Sequence, residues 1–185
     1  LRADPEASSA VVLTADGRVV DVQHDDFTLI EVTVDGQLGD GDAIRVDADG
    51  FTMDRTEVRN AGRDCVDLRD VSNVLITEGS IHHCLRSSRD GCDSGDCRED
   101  AHAIVGGAIR NVRILRVAIH TFSGDAFQAD PGRSEAGWSD VVIEGCRIWS
   151  EPLAEAAGGY AAGVNPAENA VDTKTSDAVE SPAEL

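Results

Sequence analysis

Two segments of this 185-residue chain concentrate side chains able to do chemistry: Ser123-Gly124-Asp125-Ala126-Phe127-Gln128-Ala129-Asp130-Pro131-Gly132-Arg133 and Glu168-Asn169-Ala170-Val171-Asp172-Thr173-Lys174. Carboxylate oxygens hold hard divalent cations or exchange protons, and a lysine amine becomes a base once it is neutral. The segments align, with Asp125 over Asn169, Phe127 over Val171, Gln128 over Asp172 and Asp130 over Lys174. As neighbouring strands about 4.8 Å apart, they would gather Gln128, Asp130, Asp172 and Lys174 into one polar patch. Asp125 and Asn169 stand at its edge, joined by His102 from the preceding repeat, while Glu168 and Arg133 approach from adjoining turns. The plainer reading of Asp130 with Lys174 is a cross-strand ion pair, which contributes little where it is exposed.

A repeat must position this patch. Asp42-Ala43-Ile44-Arg45-Val46-Asp47, Asp64-Cys65-Val66-Asp67-Leu68-Arg69 and His102-Ala103-Ile104-Val105-Gly106-Gly107 share the order polar, small, apolar with the two segments above. Alternation along a strand points Ile44, Val66, Ile104, Phe127 and Val171 inward, and turns Ala43, Cys65, Ala103, Ala126 and Ala170 outward as a shallow trough. The column Asp42, Asp64, Asp125 and Asn169 reads as turn-forming side chains bonded to backbone, interrupted by His102. A second strand recurs at 27–34, 51–58, 74–81, 112–119 and 141–148, apolar at places one, three, six and eight. The break in alternation marks a bend. Stacking would bury the column Phe27, Phe51, Val74, Val112 and Val141, and Leu29 over Met53 over Ile76.

Two short strands repeating about every 22 residues indicate a solenoid of β coils, each too small to bury its own apolar side. Insertions interrupt it at about 82–101, 131–139 and 150–167, all around the last three coils, where long loops on a rigid repeat carry function. Trp138, Trp149 and Tyr160 lie in or beside those loops and could stack on sugar rings. His82, His83 and His120 fall at strand exits, and their spacing matches no metal-binding pattern.

This arrangement resembles the right-handed parallel β-helix of the pectate-lyase-like superfamily, over roughly residues 17–175. In such enzymes outward carboxylates of this strand bind calcium and a Lys or Arg removes the proton alpha to a uronate carboxylate. The resemblance implies Lys174 as base, with Arg133 and His102 beside it as catalytic candidates. It implies Asp125, Asp130, Asp172 and Glu168 as calcium ligands, and Gln128, Asn169, Trp138 and Tyr160 as substrate-binding residues. The expected fold is all-β, a single-stranded right-handed solenoid forming one domain over 1–185, a mature or excised piece of a longer solenoid.

Formal charge is −19, from 35 acidic against 16 basic residues, which argues against nucleic acid, whose phosphates need clustered Lys and Arg. An acidic polysaccharide remains open if a divalent cation bridges the two sets of carboxylates. No run approaches a membrane span, and a monomer is expected. Of the five cysteines, Cys84, Cys92 and Cys97 share one insertion, so two of them should be bridged there, as in an oxidising secreted or periplasmic compartment; Cys65 and Cys146 complete the set, Cys146 as a small core residue. The expected activity is a polysaccharide lyase cleaving a uronate-containing glycan by β-elimination. A glycoside hydrolase or uronate C5-epimerase on the same fold, or a non-enzymatic surface module, are the alternatives.

Overall fold

The computed structural model describes residues 1–4, 10–133 and 137–175, and in them short strands form three stacked parallel sheets and one small antiparallel pair. The first sheet contains, in spatial order, Val20–Val22, Ile44–Val46, Val66–Arg69, Ile104–Gly107, Phe127–Ala129 and Val171–Thr173. The second stacks Thr28–Ile30, Thr52–Asp54, Ser72–Thr77, Arg110–Leu115 and Ser139–Glu144. The third stacks Val11–Thr14, Val32–Asp35, Glu57–Ala61, Ser80–Cys84, Ala118–Phe122 and Arg147–Trp149. Pairing within all three is parallel, and the chain visits the sheets in turn, an all-β architecture that fits a parallel β-helix. The first sheet runs in the register Ile44–Val66–Ile104–Phe127–Val171, the alignment expected from sequence.

The bent second strand is two strands in two different sheets, so a coil has three strands where the repeat suggested two. Place five of that pattern is the corner between them. Glu31, Arg55, Glu78 and Arg116 stand there with φ of 57°, 45°, 57° and 56°, followed by Gly145 at 65°. A left-handed residue at this corner of each coil turns the chain and restarts the alternation, at a cost of roughly 1–2 kcal/mol per non-glycine residue. Alternating charge offsets part of it: Arg55 Nε lies 3.0 Å from Glu31 Oε1, and Arg116 Nη2 lies 2.9 Å from Glu78 Oε1.

Phe51, Val74 and Val112 are buried one above another, with Phe27 and Val141 packed at the two ends of that column. The trough of small residues is not on the outside. Ala43, Cys65, Ala103 and Ala126 are fully buried members of the same core. Each precedes its strand at a corner, where strict alternation does not apply, and turns inward towards the end of the third sheet. There Cys65 is disulfide-bonded to Cys84.

The first and last insertions build a second small core of Leu85, Cys92, Cys97, Leu153 and Tyr160. Arg86–Ser87 pairs antiparallel with Arg98–Glu99, and Cys92 is bridged to Cys97 within that loop. The Cys92 amide donates to the Gly159 carbonyl at 2.9 Å, and the Tyr160 hydroxyl to the Arg86 carbonyl at 2.6 Å. Gly158, at φ 56°, passes so close that a Cβ there would sit 2.4 Å from Leu85 Cβ. Among the described residues no helix is long and apolar enough to cross a membrane.

Candidate functional site

The first sheet brings part of the expected patch together. Gln128 pairs in register with Asp172, and the Lys174 amide donates to the Ala129 carbonyl at 2.9 Å, which sets Lys174 beside Asp130. Lys174 Nζ lies 3.8 Å from Asp172 Oδ2, with the two side chains 43% and 32% exposed. Asp130 is half-buried, and its Oδ1 accepts the Gly132 amide at 2.9 Å, closing the turn. Trp138 is buried and its indole N–H points to the Lys174 carbonyl at 3.5 Å. That ring therefore underlies the lysine and offers no face to a sugar.

The other expected residues lie elsewhere or inward. Asp64, His102 and Asp125 are each 1% exposed and form a buried ladder up the corner before the first sheet. Asp64 Oδ1 accepts the His102 amide at 2.9 Å, His102 Nδ1 accepts the Asp125 amide at 2.9 Å, and Asp125 Oδ1 accepts the Asn169 amide at 3.1 Å. Gln128, 2% exposed, donates to Asp125 Oδ2 at 2.8 Å, and Asn169 Nδ2 to Asp125 Oδ1 at 2.8 Å. The column thus bonds backbone, as its turn-forming reading expects, and His102 takes the aspartate's part through its ring nitrogen. Its Nδ1 is an acceptor, so a neutral ring carries its proton on Nε2. Asn169 is exposed at the end of the ladder. Tyr160, 1% exposed, is held in the second core. Glu168 Oε1 faces Arg98 Nη2 at 3.4 Å. The Arg133 backbone closes the short turn Pro131–Arg133, and its side chain lies outside the described residues.

These positions do not fit a calcium centre. Asp125 already accepts three N–H donors, Glu168 faces an arginine, Asp172 faces Lys174, and no three of the four expected ligands converge among the described residues. The described acidic group whose ligand atoms do converge, within 4.8 Å, is Asp42, Asp64 and Asp67, all buried. Arginines occupy it. Arg45 Nη2 donates to Asp42 Oδ2 at 2.8 Å, Arg69 Nε to Asp67 Oδ2 at 2.6 Å, and Arg63 Nε stands 3.7 Å from Asp42 Oδ1. Those guanidinium charges do the neutralising that a cation would do. Spacing alone missed this cluster because Asp42 comes from the coil before that of Asp64 and Asp67.

Two adjoining clefts open beside the same corner, where the first insertion folds back. One, of about 430 Å³, runs between Leu38, Asp40, Ser88, Asp90 and Gly159. The other, of about 320 Å³, is lined by Arg63, Arg86, Glu99 and Asp100, and Arg86 and Glu99, which are ion-paired, border both. Arg98, on the same hairpin, links this rim to Glu168 at the edge of the patch.

The histidines also converge, across a gap of nearly forty residues. On the third sheet His82 pairs in register with His120, and their rings stack at 4.8 Å with 6° between planes. His120 stacks in turn on Trp149 at 4.3 Å, and the Arg147 guanidinium lies 4.4 Å from that indole. Trp149 therefore closes an outer ladder of rings. Burial, with the charges of His82 and His83, pushes His120 down to about 4. His83 is lowered by the same burial and by the His82 and Arg59 charges. Set against known protein families, curated proteins and solved structures, the chain matches none of them.

Proposed function

We propose that this chain is a carbohydrate-active parallel β-helix protein that cleaves a uronate-containing glycan by β-elimination, with Lys174 as the base. One observation carries the reading. Lys174 is the only lysine in a chain whose basic side chains number 16, and it stands half-exposed on the outer side of the first sheet. Among the described residues most ion pairs of the coils are made by arginine, which keeps its proton. A lone amine at the strand carrying Asp172, next to Asp130, is the group suited to give and take one. In the reaction the neutral amine takes the proton alpha to the uronate carboxylate. The carbon–oxygen bond beta to that carboxylate then breaks, leaving an unsaturated sugar, and the departing oxygen takes a proton from the lysine ammonium or from water to become a free hydroxyl.

The reading routes no step through a metal, since among the described residues around Lys174 no three acidic side chains converge. Trp138 fixes the lysine backbone from below, and Asp172 orients the amine. In this reading the solenoid has the right-handed sense of parallel crossovers, and its two disulfides belong to a secreted or periplasmic protein. Incubation with a panel of acidic polysaccharides tests it. Ultraviolet absorbance of an unsaturated product is expected. New reducing ends without that absorbance would instead identify a hydrolase, and altered uronate stereochemistry without cleavage an epimerase.

A further inference from the structure

On the outer face of the third sheet, remote in sequence from the lysine site, two imidazoles bring the same ring nitrogen together. His82 Nδ1 and His83 Nδ1 are 2.7 Å apart, with the ring planes at 78°. Adjacent residues on a regular strand point to opposite faces. Here His83 sits in the left-handed region at φ 56°, and that bend brings its ring round beside His82. The far nitrogen of His82 is fixed as well: Nε2 lies 3.0 Å from Glu57 Oε1, and Glu57 is itself held by the Thr33 hydroxyl at 3.0 Å and by Arg59 at 3.3 Å. With Nε2–H donated to that carboxylate, the lone pair of His82 is on Nδ1, facing His83.

We propose that His82 and His83 form a binding site for a divalent transition-metal ion, copper(II) or nickel(II), ligated by the two Nδ1 atoms. A carboxylate behind a ligating histidine is the arrangement that fixes tautomer and ring orientation in metal sites. The ion's geometry follows from the spacing. Two nitrogens about 2.0 Å from one ion and about 90° apart stand about 2.8 Å from each other, whereas a tetrahedral ion needs about 3.3 Å. The observed 2.7 Å suits a tetragonal ion better than zinc. In the metal-free protein one Nδ1–H bridges to the other Nδ1. Binding moves the His83 proton to its own Nε2, so a neutral ring needs to lose none. Both side chains are only partly buried, which leaves the remaining positions to water. His120, stacked on His82 and bonded through Nδ1 to the Thr121 hydroxyl at 2.9 Å, supports the ring but is not a ligand.

Titration of the whole chain with copper(II), followed by calorimetry and electron paramagnetic resonance, tests this. The native chain should take up a tetragonal copper with nitrogen couplings. His82→Gln, whose amide can still reach Glu57, and His83→Asn, which copies Asn60 at the equivalent left-handed position one coil away, should each weaken that copper at least tenfold. His120→Gln should leave it bound. Circular dichroism must show all three variants folded; if either ligand variant fails to fold, the nitrogen couplings of the native chain decide alone. Copper uptake unchanged in both ligand variants, couplings without histidine nitrogen, or equal loss in His120→Gln would overturn the assignment.

Discussion

His120 shows what position does to a side chain whose type is ordinary. Its ring is sandwiched between His82 and Trp149, so a proton on it is both partly desolvated and repelled by its neighbours. A folded-state pKa of about 4, against 6.5 for a free imidazole, means that the unfolded chain takes the proton first as pH falls. Stability contributed by the neutral ring is therefore present above pH 6.5 and is lost as pH drops towards 4. Because the ring is partly exposed, the loss is roughly 1–2 kcal/mol rather than the full value of the shift. Melting temperatures of the native chain and His120→Gln, measured with a chelator from pH 7.5 to 4, should show the native curve falling more steeply across that window. Parallel curves would contradict this placement. The sequence shows three histidines near strand ends, but the stack becomes visible only once residues 82 and 120 are known to share a register.

At the level of elements, corners decide most of what the linear pattern does not. A one-residue slip in alternation is legible as a bend, and the interior column of Phe51, Val74 and Val112 follows from it. That the bend is a left-handed residue separating two sheets is not legible, because Glu31, Arg55, Glu78 and Arg116 carry no glycine signature. The same limit applies to Ala43, Cys65, Ala103 and Ala126. Alternation assigns them to the outside only if the strand extends through them, and it begins one residue later. Cys65 and Cys84 then close a loop of 19 residues between the first and third sheets. Replacing both with serine should cost about 3 kcal/mol by chain entropy. Cys92 and Cys97 are only 5 apart, and losing that pair should cost about 2 kcal/mol. Chemical denaturation of the two double variants checks the order. An equal or larger loss for the Cys92–Cys97 pair would mean that the second core, rather than the coil stack, limits stability.

At the scale of the whole molecule, charge works against the proposed substrate. A net −19 repels a polyuronate. Such repulsion is screened over about 10 Å at 0.1 M salt. Raising ionic strength from about 10 to 200 mM should therefore lower KM on an acidic glycan several-fold while leaving kcat nearly unchanged. A KM that rises with salt would mean that a cationic surface captures the substrate, and would move attention to the cleft lined by Arg63 and Arg86.

The central claim is that the chain's single lysine is a proton acceptor and not merely the partner of Asp172. Exposed ion pairs contribute about 0–1 kcal/mol, so Lys174→Ala and Lys174→Arg should both melt close to the native temperature. Turnover of an acidic glycan, followed by ultraviolet absorbance of the unsaturated product, separates the two roles. The account predicts that Lys174→Ala loses activity at least a thousandfold and that Lys174→Arg, which keeps the charge but holds its protons more tightly and on a differently shaped group, fails nearly as badly. Activity retained in Lys174→Arg would reduce the residue to a positive charge, and full activity in Lys174→Ala would contradict the account.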